Sequence, residues 1–174
     1  MRMEFQLRGV EGIIDTLRSL PPEIVSKSGG PVKLALKKGA NVIRAEAARN
    51  LRAAIEQGGS QSSGLLEKSL IVSRGKPPIG SKGERYLVRV KRKAYDQAKL
   101  TKKETRGNPK NRKRVTTLQT ANLLEYGSAH QPATPWLRPA VQAKGQEAIN
   151  VIVTDLNRRI DLIVKKLSAQ NKGK

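Results

Sequence analysis

The middle of this chain has little with which to build a core, and that limits where a core can form. Residues 73–114 hold 16 basic and 3 acidic residues, so they carry +13 of a formal net charge of +21 spread over 174 residues. The flanks, 1–72 and 115–174, carry +4 each and read as ordinary, mildly basic globular sequence. From Lys91 to Arg114 the chain is polar and basic and shows almost no hydrophobic periodicity. A segment of that kind buries too little apolar surface to offset the entropy of ordering it. The expectation is a single domain over 1–174, with 91–117 a basic arm or loop inserted between strands.

The flanks supply the periodic elements. Val10, Ile13, Ile14, Leu17 and Leu20 recur at spacings of three and four, one face of a short helix stopped by Pro21-Pro22. Val32, Leu36, Ala40, Ile43, Ala47, Leu51, Ala54 and Ile55 predict a long alanine-rich helix from about Pro31 to Gln57. Gly58-Gly59 ends it. Phe5 and Leu7 give a weak strand signal. Residues 64–70 read as a turn or helical start leading into Ile71 and Val72. Tyr86, Val88 and Val90 alternate with Leu87, Arg89 and Lys91, a half-buried strand with a basic outer face. Thr116 to Tyr126 is strand-like or briefly helical. Trp136, Leu137, Ala140, Val141, Ala148, Ile152, Leu156, Ile160, Ile163, Val164 and Leu167 trace a second long helix, with 168–174 a frayed tail. The predicted fold class is α+β: a small antiparallel sheet packed with two long amphipathic helices, a short N-terminal helix and a long basic loop or arm.

Composition narrows the chemistry. Cysteine is absent and histidine occurs once, which excludes thiolate metal sites, disulfides and His-rich metal centres. Aromatic residues make up 3%, too few for a base-stacking platform. No apolar run approaches the roughly 20 residues of a membrane span, and Met1 to Phe5 has no signal-peptide core, so a cytosolic protein is expected. His130 stands in a Gly/Pro-rich loop without an evident orienting partner and reads as a surface histidine. Asp155 and Asp161 share a helix with Arg158 and Arg159 and read as surface ion pairs. Gly80-Ser81-Lys82-Gly83 lacks phosphate-loop spacing and reads as a turn. Neither an enzyme nor a cofactor site is expected, and no metal site.

Three basic clusters stand out: Arg89, Lys91, Arg92 and Lys93; then Lys99, Lys102, Lys103 and Arg106; then Lys110, Arg112, Lys113 and Arg114. Cations at this density attract phosphate backbones through counterion release, and equally attract acidic protein surfaces. A polyanion or an acidic partner is the expectation, with both options open.

Four stretches carry a family likeness. They are Gly9-Val10-Glu11-Gly12-Ile13-Ile14 with Leu17 and Leu20-Pro21; Ala35 to Ala40 running to Ala47-Ala48-Arg49-Asn50; Ser63-Gly64-Leu65-Leu66-Glu67-Lys68-Ser69-Leu70; and Leu124-Glu125-Tyr126-Gly127 followed by Gln131 to Ala140. In this order and spacing the chain resembles the small morphogenesis proteins of long-tailed bacteriophages at the head–tail neck, the tail-completion or head–tail joining proteins. The stretch from Arg92 to Thr117 is longer and more basic than that family leads one to expect.

The resemblance implies a non-enzymatic virion protein of the neck or upper tail, made in the host cytoplasm. It implies a homo-oligomeric ring of six or twelve copies that completes or joins the tail and lets DNA pass. Its partners would be connector or tail-tube proteins, with genomic DNA close by and no membrane. The alternatives are a tail terminator capping the tube, or a DNA-binding protein acting through the basic arm. The fourth stretch reads as a fold-defining corner made by Glu125, Tyr126, Gly127, Pro132, Pro135, Trp136, Leu137 and Pro139. In it Glu125 and Tyr126 end a strand, Gly127 permits the turn, the prolines set φ, and Trp136 and Leu137 anchor the helix.

Overall fold

The computed structural model describes residues 30–58, 63–76, 79–80, 83–95 and 115–171, with side chains through Lys165. The expected strand at Phe5 and Leu7, the expected helix at residues 10–20, and the basic residues Lys99, Lys102, Lys103, Arg106, Lys110, Arg112, Lys113 and Arg114 lie outside the described residues.

Helix α1 spans Gly30–Gln57 and α2 Leu65–Ser69; strands β1 (Leu70–Gly75) and β2 (Arg85–Val90) follow, then α3 (Thr117–Tyr126) and α4 (Leu137–Asn171). The fold is α+β. The described sheet has two antiparallel strands, in a register from Leu70 opposite Val90 to Gly75 opposite Arg85. The hairpin is tied to the helices by charge as well as by packing. Glu84 accepts from Arg74 Nε and Nη2, both at 2.7 Å, and its Oε1 lies 3.8 Å from Lys33 Nζ on α1. Arg52 of α1 donates to Glu67 of α2 at 2.6 Å.

α1 and α4 run antiparallel along most of their length, because each carries an apolar stripe that must be covered. Near the end of α1, Ala47, Leu51, Ala54 and Ile55 meet Leu66, Leu70, Val90, Ala121, Leu124, Trp136 and Ala140 in the main core. Near its start, Ala35 packs with Leu156 and Ile160, flanked by Val32 and Ile152. Between these clusters the helices cross at Gly39. A Cβ there would lie 2.8 Å from the Ala148 carbonyl oxygen and closer still to the side chain of Ile152. Only glycine allows that approach.

This crossing corrects the predicted stripe of α1. In its first half the buried residues are Ala35 and Gly39, while Leu36, Ala40 and Ile43 are only half-buried. Contact with α4 goes to the smallest side chains and turns the larger ones aside. On α4, Val164 was expected on the covered stripe but is exposed. The helix also continues to Asn171, into the segment expected to fray.

Residues 117–126 are helical, so Glu125 and Tyr126 end a helix and not a strand. The physical reason is a capping box. Thr116 Oγ1 accepts from the Gln119 backbone N–H, and the Gln119 side chain accepts from the Thr116 N–H at 2.9 Å. Two otherwise orphaned donors are satisfied reciprocally, and a helix start is fixed.

Candidate functional site

The join between α3 and α4 gathers several side-chain hydrogen bonds onto one carboxylate. Gly127 leaves α3 with φ 74°, and a Cβ there would sit 2.8 Å from the Ala133 nitrogen, so glycine is required twice over. The chain loops through Pro132 and Pro135 and re-enters as α4. Glu125, at the end of α3, turns its carboxylate onto the start of α4. It accepts from the backbone N–H groups of Trp136 and Leu137, both at 2.8 Å, and of Arg138 at 3.2 Å. Arg138 Nε adds a fourth bond at 2.9 Å, and an Arg138 Nη donates to the Glu125 carbonyl at 2.8 Å.

A carboxylate at a helix N-terminus meets unpaired N–H groups and the positive end of the helix dipole. Burial alone would raise the Glu125 pKa. The N–H groups of Leu137 and Trp136, together with the guanidinium and N–H of Arg138, outweigh it and hold the carboxyl below its ordinary value. Trp136 fills the core behind this cap at 3% exposure. Its indole N–H donates to the Ala121 carbonyl at 3.1 Å, and its own carbonyl accepts from Asn50 of α1 at 3.1 Å. Pro139 sits in the first turn of α4, where the missing N–H costs nothing. The corner joins α3, α4 and α1.

Of the first basic cluster, Arg89 is exposed at the end of β2 and donates from Nε to Ser73 Oγ at 2.7 Å. Lys91, Arg92 and Lys93 are exposed just beyond it. Here the two ends of the basic segment are clamped together. Tyr95 N–H donates to the Val115 carbonyl at 3.2 Å and Thr117 N–H to the Lys93 carbonyl at 2.9 Å. The buried Thr117 hydroxyl donates to the Lys91 carbonyl at 2.7 Å and accepts from the Lys93 N–H at 3.0 Å. Thr116 and Thr117 thus belong to the packed domain.

The other chemical candidates resolve simply. His130 is exposed, in a turn closed by its backbone N–H on Ser128 Oγ. Gly80 takes φ 81° in a turn, as glycine readily does. Asp155 departs from its predicted place on the surface: its side chain is 1% exposed. It accepts from Arg159 at 2.5 Å and from Lys38 of α1 at 2.9 Å, and Arg158 lies 3.9 Å away. Hydrogen bonds from Arg159 and Lys38 hold its carboxyl below the ordinary range. Asp161 is exposed on the same helix. Among the described residues no three His, Cys, Asp or Glu side chains are grouped to hold a metal ion, and no helix is long and apolar enough to cross a membrane.

Two surface features carry no signal in the linear pattern. α3 presents Leu118, Leu123 and Tyr126 to solvent beside exposed Val115, and its sole charged residue, Glu125, is turned inward. Tyr126 is 69% exposed, with the Arg138 guanidinium 5.2 Å from its ring centroid. The second feature is an open groove of about 480 Å³ between α1 and α4, lined by apolar side chains and by Tyr86, Gln142 and Gln146. None of its described lining residues is charged. Comparison with family models, curated proteins and solved structures finds no match for this chain.

Proposed function

We propose that this protein is a structural component of the bacteriophage head–tail neck or upper tail, a subunit of a ring that completes or joins the tail and lets DNA pass. The observation that carries this reading is the α3–α4 corner. Glu125, Gly127, Pro135, Trp136, Leu137 and Pro139, through which the sequence resembles the neck family, make the bonds and turns that set this join. The likeness therefore lies in residues that build a fold, not in composition. The exposed, uncharged face of α3 adds support. Copies of a chain at +21 repel one another, and neutral apolar surface is where they can approach. A heterologous contact of that kind closes into a ring when its rotation permits.

In this role the chain is not an enzyme and needs no cofactor. Its partners are further copies, six or twelve by resemblance, and the connector or tail-tube proteins on either side. Arg89, Lys91, Arg92 and Lys93, exposed at and just beyond the end of β2, suit contact with packaged DNA or with acidic neighbours. The test is electron microscopy of particles from a phage whose copy of this gene carries an early stop codon. Full heads and tails that fail to join, and that join when the purified protein is added, are expected. Normal particles would overturn the reading. Tight, steeply salt-dependent binding of free duplex DNA by the isolated protein, together with normal particles, would favour the DNA-binding alternative.

A further inference from the structure

We infer that the groove between α1 and α4 is the docking site for this chain's own N-terminal segment, residues 10–20. The groove is apolar and unfilled by any described residue: Leu36, Ala40 and Ile43 on one wall and Val141, Ile149 and Ile152 on the other are all half-buried. Gly145 lowers the α4 wall, and a Cβ built there meets nothing within 4 Å. An interior helical glycine weakens a helix, and no packing among the described residues calls for this one. A segment lying across it would.

Reach, length and charge select the occupant. Α segment ending at Leu20 is joined to Gly30 by residues 21–29, a connection that spans up to about 35 Å when extended. The groove begins six residues along α1, and its α1 wall from Leu36 to Ile43 lies roughly 9–20 Å from the helix start. The spacing of Val10, Ile13, Ile14, Leu17 and Leu20 predicts one apolar helical stripe about 15 Å long, close to the length of the α4 wall from Val141 to Ile152. Within residues 10–20, Glu11 and Asp15 stand against the single cation Arg18, a slightly acidic stretch in a strongly basic chain. On α1, one position past the groove residues Leu36 and Ile43, stand the exposed Lys37 and the half-buried Arg44. A tethered segment also enjoys an effective concentration that a free partner lacks.

The chain has no cysteine, so single thiols report on the site directly. In the full chain, maleimide should modify the thiol of Leu17→Cys at least tenfold more slowly than that of Ser19→Cys, which the predicted helical spacing sets opposite the apolar stripe. Adding Gly145→Leu or Ile149→Asp to fill or charge the groove should abolish the difference. Emission from buried Trp136, the single tryptophan, verifies that each variant is folded. Equal rates at the two positions would overturn the proposal, as would protection that survives both groove variants in folded protein. Protection that holds over a hundredfold dilution supports it. Protection lost on dilution would overturn it in favour of a neighbouring copy as the occupant.

Discussion

Glu125 and Asp155 are both buried carboxylates held by cations, and they stabilise different things. Glu125 spends three of its bonds on backbone N–H groups at the start of α4 and one on Arg138. Asp155 accepts only from side chains, those of Arg159 on its own helix and Lys38 on α1. A carboxylate bonded to backbone fixes where a helix begins and the path by which the chain enters it. A carboxylate bonded to side chains fastens two helices that apolar packing has already brought together. The first is part of the topology, and the second is a clasp upon it.

If that distinction holds, the largest losses come at the corner. Trp136→Ala empties the volume behind the cap and should cost about 3–5 kcal/mol, read from urea unfolding followed by circular dichroism. A stability within 1 kcal/mol of the parent would show that the corner is not anchored there. Glu125→Gln keeps the shape but removes the charge and one acceptor, and should cost about 1.5–3 kcal/mol. It should also change the response to acid. With a folded-state pKa below the unfolded value, the Glu125 contribution is fully present above the usual glutamate range. It fades as pH falls below about 4.5 and through the lowered folded value. The parent should therefore lose stability toward pH 3 more steeply than Glu125→Gln, and parallel pH profiles would contradict the assignment.

The helix crossing offers an intermediate case, because it depends on no charge. Gly39→Ala gains helix propensity but drives a methyl group into Ile152 and the Ala148 carbonyl. The net cost should be about 1–3 kcal/mol, with partial recovery when Ile152→Ala makes room. A Gly39→Ala protein more stable than the parent would mean that the helices separate here more readily than the crossing implies.

How much of this was legible in sequence follows from the range of each interaction. The bounds of α1, the strand at Tyr86 to Val90 and the burial of Trp136 all rest on local pattern, and the structure agrees with each. The helix at 117–126 rests on a local signal too, Thr116 followed three residues later by Gln119, but Leu118, Leu123 and Leu124 fit either period and hid it. Glu125 was visible as part of the corner, yet its cap on α4 needs a bond eleven to thirteen residues along the chain. The i,i+4 pairing of Asp155 with Arg159 was legible, but its burial and its arm to α1 were not. Its decisive partner, Lys38, lies 117 residues earlier, while Arg158 and Arg159 beside it suggested a surface pair. The burial of Ala35 and Gly39 in preference to Leu36 and Ala40 depends on what α4 presents, which no pattern within α1 contains.

The clasp yields the smallest expected effect and the sharpest contrast. Lys38 is 57% exposed at its side chain, so one arm of the Asp155 cluster reaches into solvent, whereas the Glu125 bonds to backbone do not. Asp155→Asn should therefore destabilise less than Glu125→Gln. Its cost should shrink as salt is raised from 0.05 to about 1 M, where the Debye length falls to about 3 Å. The Glu125→Gln cost should change little over the same range, because donors held at a helix start are fixed by the fold and poorly screened. Paired unfolding curves for the two variants at both salt concentrations decide the matter. Equal salt dependence would erase the distinction between a carboxylate that sets a helix start and one that clasps two helices.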